Sequence, residues 1–298
     1  MKLSLAIVGL VLVLVAVGGV LVWRSGLLSG PECTVPGDPA APTAAPTVEP
    51  TAVQLQHAST INAVGLSKGI SERGRIIAVA TAYQESTLRN LPDGDRDSVG
   101  LFQQRPSQGW GTVAQISDPV YAARKFYEAL VEVDGWQDLP LTEAAQAVQY
   151  SGFPNAYAKW EPQATTLVRA LSGALPLELT CHPRSEQPTA SGPDRQAAAG
   201  TEGAQPPLAT LLAAANAEFG RITVASISPD GLTGTAGVEG TDLEPAAAGS
   251  ALAAWAVAHS AGLRVSAVAV QDKRWSEGEW STGGGLADPS RAELTVSP

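Results

Sequence analysis

The chain has 298 residues, which is enough for about two domains of roughly 100–200 residues each. Its formal net charge is −10, and no basic patch stands out, so the composition argues against nucleic-acid binding. The acidic balance favours solubility and does not indicate a fold. No cofactor motif is present, and we expect no cofactor.

The N-terminus predicts a single membrane-spanning helix. Met1 and Lys2 precede an apolar run over residues 3–23, which is close to the roughly 20 residues that cross a hydrocarbon core. A cleaved signal peptide is the alternative, although its apolar region normally has only about 7–15 residues. Because Lys2 would stay inside, we expect a single-pass anchor over residues 1–24, with the following domains outside the cell membrane.

Cysteine and proline usage predicts the limits of the next domain. Cys33 and Cys181 are the only cysteines, and an even number in an oxidising compartment indicates a disulfide, with two free thiols as the alternative. A Pro/Ala-rich composition predicts a linker over residues 25–52. A second linker, rich in Pro, Gly, Ser, Ala and Gln, is expected over residues 182–206.

Between the linkers, residues 53–181 show mainly helical spacing. An amphipathic helix is predicted over residues 53–64, and a second helix follows Ser71, which can cap it, and ends before Pro92. Residues 90–116 lack helical periodicity and are rich in turn residues. This region therefore predicts an irregular segment after the second helix.

Three further helices are predicted before the second linker. Asp118-Pro119 is a strong helix start, and Thr142 is expected to cap a short helix. The last helix is expected to begin at Pro154, to kink at Pro162 and to stop at Gly173.

The remaining residues, 207–298, predict a small α/β domain because a helix lies between two strands. Trp255, Trp275 and Trp280 are interpreted as core or as a binding face, with core favoured because aromatic side chains chiefly supply buried area. In chain order the predicted elements are a helix over residues 208–219, a strand over 221–228, a helix over 249–261, a strand over 264–270 and a short strand over 293–297.

A single carboxylate, Glu85, ends an uncharged stretch of the second helix. On a helical wheel with about 100° per residue, small side chains share its face: Ala78, Thr81 and Ala82. A carboxylate among small residues would lie in a groove and be desolvated, which raises its pKa as a general acid requires. The alternative is a surface ion pair with Arg89, four residues further on.

Two ordered motifs resemble the lytic transglycosylases of the lysozyme superfamily. That family carries Glu-Ser, then Gly-Leu-Met-Gln or a close variant, then Ala-Tyr-Asn-Ala-Gly. Here the first two match as Glu85-Ser86 and Gly100-Leu101-Phe102-Gln103. The third is degraded, because aligning Gly152 puts Gln149 at the tyrosine position and Tyr150 one place off. The longer stretch "GDRDSVGLFQQRPSQGWG" is similar to a group of actinobacterial membrane-anchored wall proteins.

The resemblance, which covers residues 53–181, implies a mainly α lysozyme-like domain that cleaves peptidoglycan. Glu85 would protonate the oxygen of the β-1,4 bond between N-acetylmuramic acid and N-acetylglucosamine. It would then act as a base on the muramic 6-hydroxyl, so one carboxylate suffices, unlike the usual pair. The expected substrate-binding residues are Ser86, Gly100, Gln103, Gln104, Trp110, Gln149 and Tyr150.

A second carboxylate would change the chemistry. Asp93, Asp95 or Asp97 could activate water and make the enzyme a hydrolytic muramidase. Their alternation is also similar to the start of a calcium loop, but Gln104 stands where the twelfth-position Glu is needed, so we expect no metal site. A solvated turn with Asp side chains capping backbone amides is the simplest interpretation for at least two of them.

A third possibility is a non-catalytic peptidoglycan-binding or scaffold protein, because the tyrosine that positions the glutamate in the family is displaced. The C-terminal stretch "AAWAVAHSAGLRVSAVAVQDKRWS" resembles a small α/β module found behind wall-hydrolase domains in actinobacteria. The expected partners are therefore peptidoglycan glycan strands, the membrane through residues 3–23, and a cell-envelope protein through the C-terminal domain.

Overall fold

The computed structural model of the chain describes residues 32–150, 155–182 and 206–298. A helical region comes first, and a C-terminal region with a six-stranded antiparallel sheet follows. The anchor predicted over residues 3–23 lies outside the described residues, as does most of the second predicted linker. Within the described ranges, no helix is long and apolar enough to cross a membrane.

The helical region contains six α-helices among the residues described. They are α1 (Ala52–Ser67), α2 (Glu72–Ser86), α3 (Val113–Ile116), α4 (Pro119–Val131), α5 (Leu141–Gln149) and α6 (Glu161–Leu171). Two short 3-10 turns, Pro106–Gln108 and Ala158–Trp160, precede α3 and α6.

The helix starts confirm some sequence predictions and correct others. Asp118 begins α4 as predicted, because its Oδ1 accepts a hydrogen bond from the backbone N–H of Val120 at 2.9 Å. Thr142 is not a cap, since α5 already begins at Leu141. Helix α6 begins at Glu161, seven residues after the predicted start, and Pro162 lies in its first turn, where no backbone N–H is needed.

The predicted disulfide is present, and it closes the helical region. Strands β1 (Cys33–Thr34) and β2 (Thr180–Cys181) pair antiparallel, and Cys33 is bonded to Cys181. Residues 32–51, whose composition predicted a linker, pack on the helices. Arg169 Nη1 lies 2.6 Å from Asp38 Oδ2, and Val35 pairs with Val48.

The C-terminal region is a single antiparallel sheet with helices on one face. Its spatial strand order is β3-β4-β8-β5-β6-β7. Strand β4 lies in the Gly-rich stretch, and β6 and β7 are short and polar, so the sequence did not predict them. The elements are α7 (Pro207–Phe219), β3 (Ile222–Ile227), β4 (Thr233–Val238), α8 (Pro245–Ala258), α9 (Ser260–Leu263), β5 (Val265–Val270), β6 (Lys273–Ser276), β7 (Glu279–Thr282) and β8 (Arg291–Val296).

Helix α1 is the element that joins the two regions. It contacts α2, α4 and α6 of the helical region and α7 and α8 of the C-terminal region. The sequence predicted an amphipathic helix, but its polar residues are buried as well, including Thr60 and Asn62. A helix covered by partners on several sides needs no solvated face, provided that its buried polar groups are hydrogen-bonded.

A buried polar network satisfies that condition between the regions. Thr60 Oγ1 donates to Glu218 Oε1 at 3.0 Å, and Trp255 Nε1 donates to Glu218 Oε2 at 2.6 Å. His259 Nε2 lies 3.3 Å from Glu218 Oε1, and the Glu218 residue is only 7% exposed. A carboxylate this deeply buried is stable only when donors surround it. The two regions therefore share one core.

Candidate active site around Glu85

Glu85 lies in the last turn of α2 and is half-buried. The hydroxyl of Tyr157 donates to Glu85 Oε1 at 2.7 Å, and the side chain of Gln149 is a second hydrogen-bond partner. Burial raises the pKa of Glu85 above its ordinary value, whereas the bonds from Tyr157 and Gln149 act in the opposite direction. The net effect is a carboxyl group that holds its proton more tightly than in water.

Small residues of α2 allow this helix to sit deep in the fold. Ala78 and Ala82, on the face that carries Glu85, are fully buried, as is Thr81. On another face, the ring of Tyr83 stacks on Trp160 with centroids 4.9 Å apart. The helix therefore holds its last turn, and Glu85 with it, in a fixed position.

Tyr157 is the member of the candidate site that sequence analysis missed. It is fully buried and directly precedes the 3-10 turn Ala158–Trp160. The sequence predicted a helix through this segment, which hid Tyr157 among helical side chains. The nearby signal was a tyrosine in an aromatic-rich stretch soon after the degraded third motif. Its hydroxyl contacts the glutamate, which is the contact that the family resemblance assigned to the displaced tyrosine.

Two predicted site residues, Gln149 and Tyr150, lie at the end of α5, and only Gln149 reaches Glu85. Gln149 Nε2 donates to the carbonyl oxygen of Phe102 at 2.7 Å, so the side chain links Glu85 to the second motif. Tyr150 instead ends the helix in a left-handed conformation with φ of 50°, and 85% of the residue is exposed. Residues 151–154, including the aligned Gly152, lie outside the described residues.

Ser86 links the Glu85-Ser86 motif to the Gly100-Leu101-Phe102-Gln103 motif. It is buried, and its Oγ donates to the carbonyl oxygen of Leu101 at 2.7 Å. The same Oγ accepts from the backbone N–H of Arg89 at 3.2 Å. The Arg89 guanidinium donates to Thr87 Oγ1 at 3.1 Å, and no ion pair joins it to Glu85 among the described residues. Ser86 thus positions the backbone around Glu85.

The turn after Ser86 is held by α1. Thr87 and Leu88 have φ of 53° and 54°, in the left-handed region that non-glycine residues rarely adopt. Gln54 Nε2 donates to the carbonyl oxygen of Thr87 at 3.1 Å. The Nδ1 atom of His57 lies 2.8 Å from the carbonyl oxygen of Leu88. Strained backbone of this kind persists only when its surroundings hold it, and it clusters at functional sites.

The second motif forms a self-supporting loop. Gly100 has φ of 79°, and a Cβ on it would lie 2.7 Å from the carbonyl oxygen of Ile116, so the close approach here is to the protein's own backbone. Gln103 Oε1 accepts from Ser98 Oγ at 3.0 Å, and Gln103 Nε2 donates to Gly100. Gln104 is buried and donates to the carbonyl oxygen of Ala122 at 3.2 Å.

The acidic turn before this loop is braced from within. Arg105 Nε donates to Asp97 Oδ1 at 2.7 Å, and the backbone N–H of Ser107 donates to Oδ2 at 2.8 Å. Together these bonds hold the pKa of Asp97 well below its usual range. Asp93 and Asp95 are exposed. Among the described residues, no cluster of three or more His, Cys, Asp and Glu could hold a metal ion.

The structure thus groups Glu85 with Tyr157 and Gln149, while Ser86, Gly100, Gln103 and Gln104 support the backbone around them. Trp110 is partly buried in the same loop system, and its carbonyl oxygen accepts from the hydroxyl of Tyr121 at 3.1 Å. These residues can give up and take back a proton at one carboxyl group, that of Glu85.

Comparison of the chain with models of known protein families and with curated protein sequences found no match.

Proposed function

We propose that the protein cleaves peptidoglycan as a lytic transglycosylase, acting on the β-1,4 bond between N-acetylmuramic acid and N-acetylglucosamine. The observation that carries the proposal is a single half-buried glutamate, Glu85, with a raised pKa and hydrogen bonds from Tyr157 and Gln149. The order of the motifs Glu85-Ser86 and Gly100-Leu101-Phe102-Gln103 supports the same assignment by resemblance.

In the first step, protonated Glu85 donates its proton to the glycosidic oxygen. The bond between this oxygen and C1 of the muramic unit breaks, positive charge develops at C1, and the N-acetylglucosamine end leaves as an alcohol. The burial that raises the pKa of Glu85 keeps a proton available for this transfer.

In the second step, the Glu85 carboxylate takes the proton from the muramic 6-hydroxyl while that oxygen attacks C1. A 1,6-anhydro ring forms, Glu85 is protonated again, and no water is consumed. Between the steps, Tyr157 and Gln149 stabilise the ionised carboxylate by hydrogen bonding. The substrate supplies the nucleophile, so a second protein carboxylate is not required.

The hydrogen bonds of the acidic turn argue against Asp97 as a second catalytic carboxylate. A hydrolytic muramidase with this site would need a carboxylate that can activate water, and Asp97 already accepts hydrogen bonds from Arg105 and Ser107 at both of its oxygens. The absence of a Glu85–Arg89 ion pair in this part of the structure likewise weighs against the scaffold alternative.

The setting proposed for this activity is the outer side of the cell membrane. The Cys33–Cys181 disulfide supports an oxidising, extracytoplasmic compartment. Anchoring through residues 3–23, with the N-terminus inside, would place the enzyme beside the wall polymer.

Mass spectrometry of digested peptidoglycan tests the proposal. The purified full chain, kept in mild detergent, is incubated with peptidoglycan beside the Glu85→Gln variant. We expect new 1,6-anhydro-muramic ends from the unaltered chain and none from Glu85→Gln. A matched control is Glu132→Gln, at an exposed position that follows α4 in the same region.

Two other results would contradict the proposal. Reducing muramic ends that depend on Glu85 would identify a hydrolytic muramidase. If no new ends form with any variant while the chain still sediments with peptidoglycan, the protein is a binding module.

A further inference from the structure

Three tryptophans of the C-terminal region differ in what they contact. Trp255 and Trp275 are 1% and 3% exposed and belong to the core, as the sequence predicted. Trp280, on β7, is only partly buried. Its Nε1 donates to the carbonyl oxygen of Leu179 at 2.8 Å, which fixes the plane of the indole ring. Trp280 is therefore an oriented aromatic surface that the core does not fully use.

Trp280 lines a pocket between the end of the helical region and the edge of the sheet. The pocket has a volume of about 380 Å³. Residues with carboxylate, ammonium, imidazole and hydroxyl groups line the same pocket as Trp280: Glu178, His182, Lys273, Glu279 and Thr282. An aromatic face among hydroxyl, carboxylate and ammonium groups suits a ligand with one apolar face and a polar rim.

The pocket walls are held in place by the fold. Strand β2 is bonded to β1 through Cys33–Cys181, and the backbone N–H of His182 donates to the carbonyl oxygen of Glu32 at 2.7 Å. Lys273 Nζ donates to the carbonyl oxygen of Leu177 at 3.0 Å. A pocket with fixed walls loses little entropy when a ligand binds.

The position of β7 adds amide chemistry to the pocket. This strand pairs with β6 on one side only, because it lies at the edge of the sheet. The N–H and C=O groups on its other side are not used by the sheet and can bond to an amide. A pyranose ring offers an apolar C–H face to the indole, and an N-acetyl group offers one amide donor and one acceptor.

We propose that this pocket binds an N-acetylated amino-sugar unit of a glycan. The pocket would be a second attachment point for the glycan strand, and its natural ligand rests on the proposed function, which makes peptidoglycan the substrate. A chain held at a second point on its polymer meets further bonds at a raised effective concentration. The pocket should therefore assist cleavage of the long polymer and not of short soluble fragments.

Titration calorimetry with β-1,4-linked N-acetylglucosamine tetramer tests the pocket directly. The full chain carries Glu85→Gln so that no cleavage occurs, and Trp280→Ala is added to the same background. We expect Trp280→Ala to weaken one binding site by about tenfold, the size of a lost aromatic contact with the ligand. Trp280→Phe, which keeps an aromatic face, should retain most of the binding.

Two further variants separate binding from folding. Thr282→Arg fills the pocket from an exposed position without removing the Trp280–Leu179 bond, and it should weaken binding as Trp280→Ala does. Ile227→Ala, at the opposite edge strand β3, should change nothing. Unchanged affinity and stoichiometry in both Trp280→Ala and Thr282→Arg would overturn the inference.

Product analysis keeps this test distinct from that of the proposed function. Anhydro-muramic ends without Trp280-dependent binding would retain the enzyme and reject the pocket. Trp280-dependent binding without any new ends would retain the pocket as an amino-sugar site and reject the enzyme.

Discussion

Two glutamates near helix ends, Glu85 on α2 and Glu218 on α7, are held by aromatic side chains in different surroundings. Glu85 is half-buried and accepts a hydrogen bond from Tyr157 at 2.7 Å. Glu218 is 7% exposed and accepts a hydrogen bond from Trp255 at 2.6 Å. The bond to a nearby aromatic donor is therefore common to both positions.

The difference lies in what else surrounds each carboxylate. Glu218 is enclosed, and Thr60 and His259 occupy the remaining space around Oε1, so it has no route to a substrate. Glu85 is only half-buried, and burial raises its pKa although hydrogen bonds from Tyr157 and Gln149 act in the opposite direction. An enclosed carboxylate such as Glu218 joins two regions, whereas a half-buried one with a raised pKa can exchange a proton with a substrate.

Replacing Glu85 should have the largest effect on activity. We expect Glu85→Gln to lower the cleavage rate by about 10²–10⁴-fold, the usual contribution of a general acid. The rate of formation of anhydro-muramic ends measures this loss. Glu218→Gln, assayed well below its melting temperature, should cleave at a rate close to that of the unaltered chain. Equal losses of rate in both variants would show that Glu85 has no special role in cleavage.

The Glu85→Gln substitution should not destabilise the fold. A carboxyl group whose pKa is raised by folding contributes stability at pH below its ordinary pKa, and this contribution is lost as pH rises through the folded-state pKa. At neutral pH, Glu85→Gln should therefore leave Tm unchanged or slightly higher. A marked fall in Tm at pH 7 would show that Glu85 is structural.

Replacing Glu218 should have the largest effect on stability. Glu218→Ala leaves the indole N–H of Trp255 and the hydroxyl of Thr60 without their buried acceptor. Each buried donor left in this way typically costs about 1–3 kcal/mol. Chemical denaturation of the full chain measures the loss, with Glu132→Ala at an exposed site as the matched control. A loss no larger than in the control would show that the two regions do not depend on this network.

The disulfide should make the next contribution to stability. Cys33 and Cys181 are 148 residues apart in sequence. Replacing both by Ser should lower the free energy of unfolding by about 2–5 kcal/mol, because the unfolded chain regains conformational freedom. Reductant should lower Tm of the unaltered chain to that of the double variant, and it should not shift Tm of the double variant. A shift in both would point to an effect of the reductant elsewhere.

Local sequence patterns predicted some features of the fold and missed others. The Asp118-Pro119 start, the disulfide and most of the helices follow from local chemistry, which depends on neighbouring residues. The burial of α1 does not, because its polar face is covered by α7 and α8, which are more than 130 residues away in the chain. Strand β4 was missed because its glycines gave no alternating pattern.

The candidate site was predicted in part for the same reason. Glu85 stood out because it is one charge at the end of an apolar helix, which is a local signal. Tyr157 was missed because its contact with Glu85 spans 72 residues and depends on a chain turn before α6. Gln103 and Gln104 were expected to bind substrate, but their hydrogen bonds lie within their own loop and to α4, and residue type alone does not distinguish these roles.

The smallest effect, and the one most specific to the proposed chemistry, concerns Tyr157. Its hydroxyl lowers the pKa of Glu85 by bonding to the ionised form, so Tyr157→Phe should raise that pKa further. A general acid works while it is protonated, and the alkaline limb of the rate profile should therefore move to higher pH in Tyr157→Phe. The maximum rate should fall by about 10–10²-fold, since a hydrogen bond to a charged group contributes roughly 1.5–3 kcal/mol.

The direction of the shift distinguishes this role from simple packing. Tyr157 is fully buried, so Phe preserves the ring and removes only the bonds of the hydroxyl. If Tyr157 merely filled space, the alkaline limb would stay where it is, whatever the change in rate. Tyr83→Phe, on the same helix as Glu85 and stacked on Trp160, is the matched control and should leave the limb unmoved. A limb that moves to lower pH in Tyr157→Phe would mean that the phenol favours the protonated carboxyl group, which contradicts the role assigned to Tyr157 in stabilising the carboxylate.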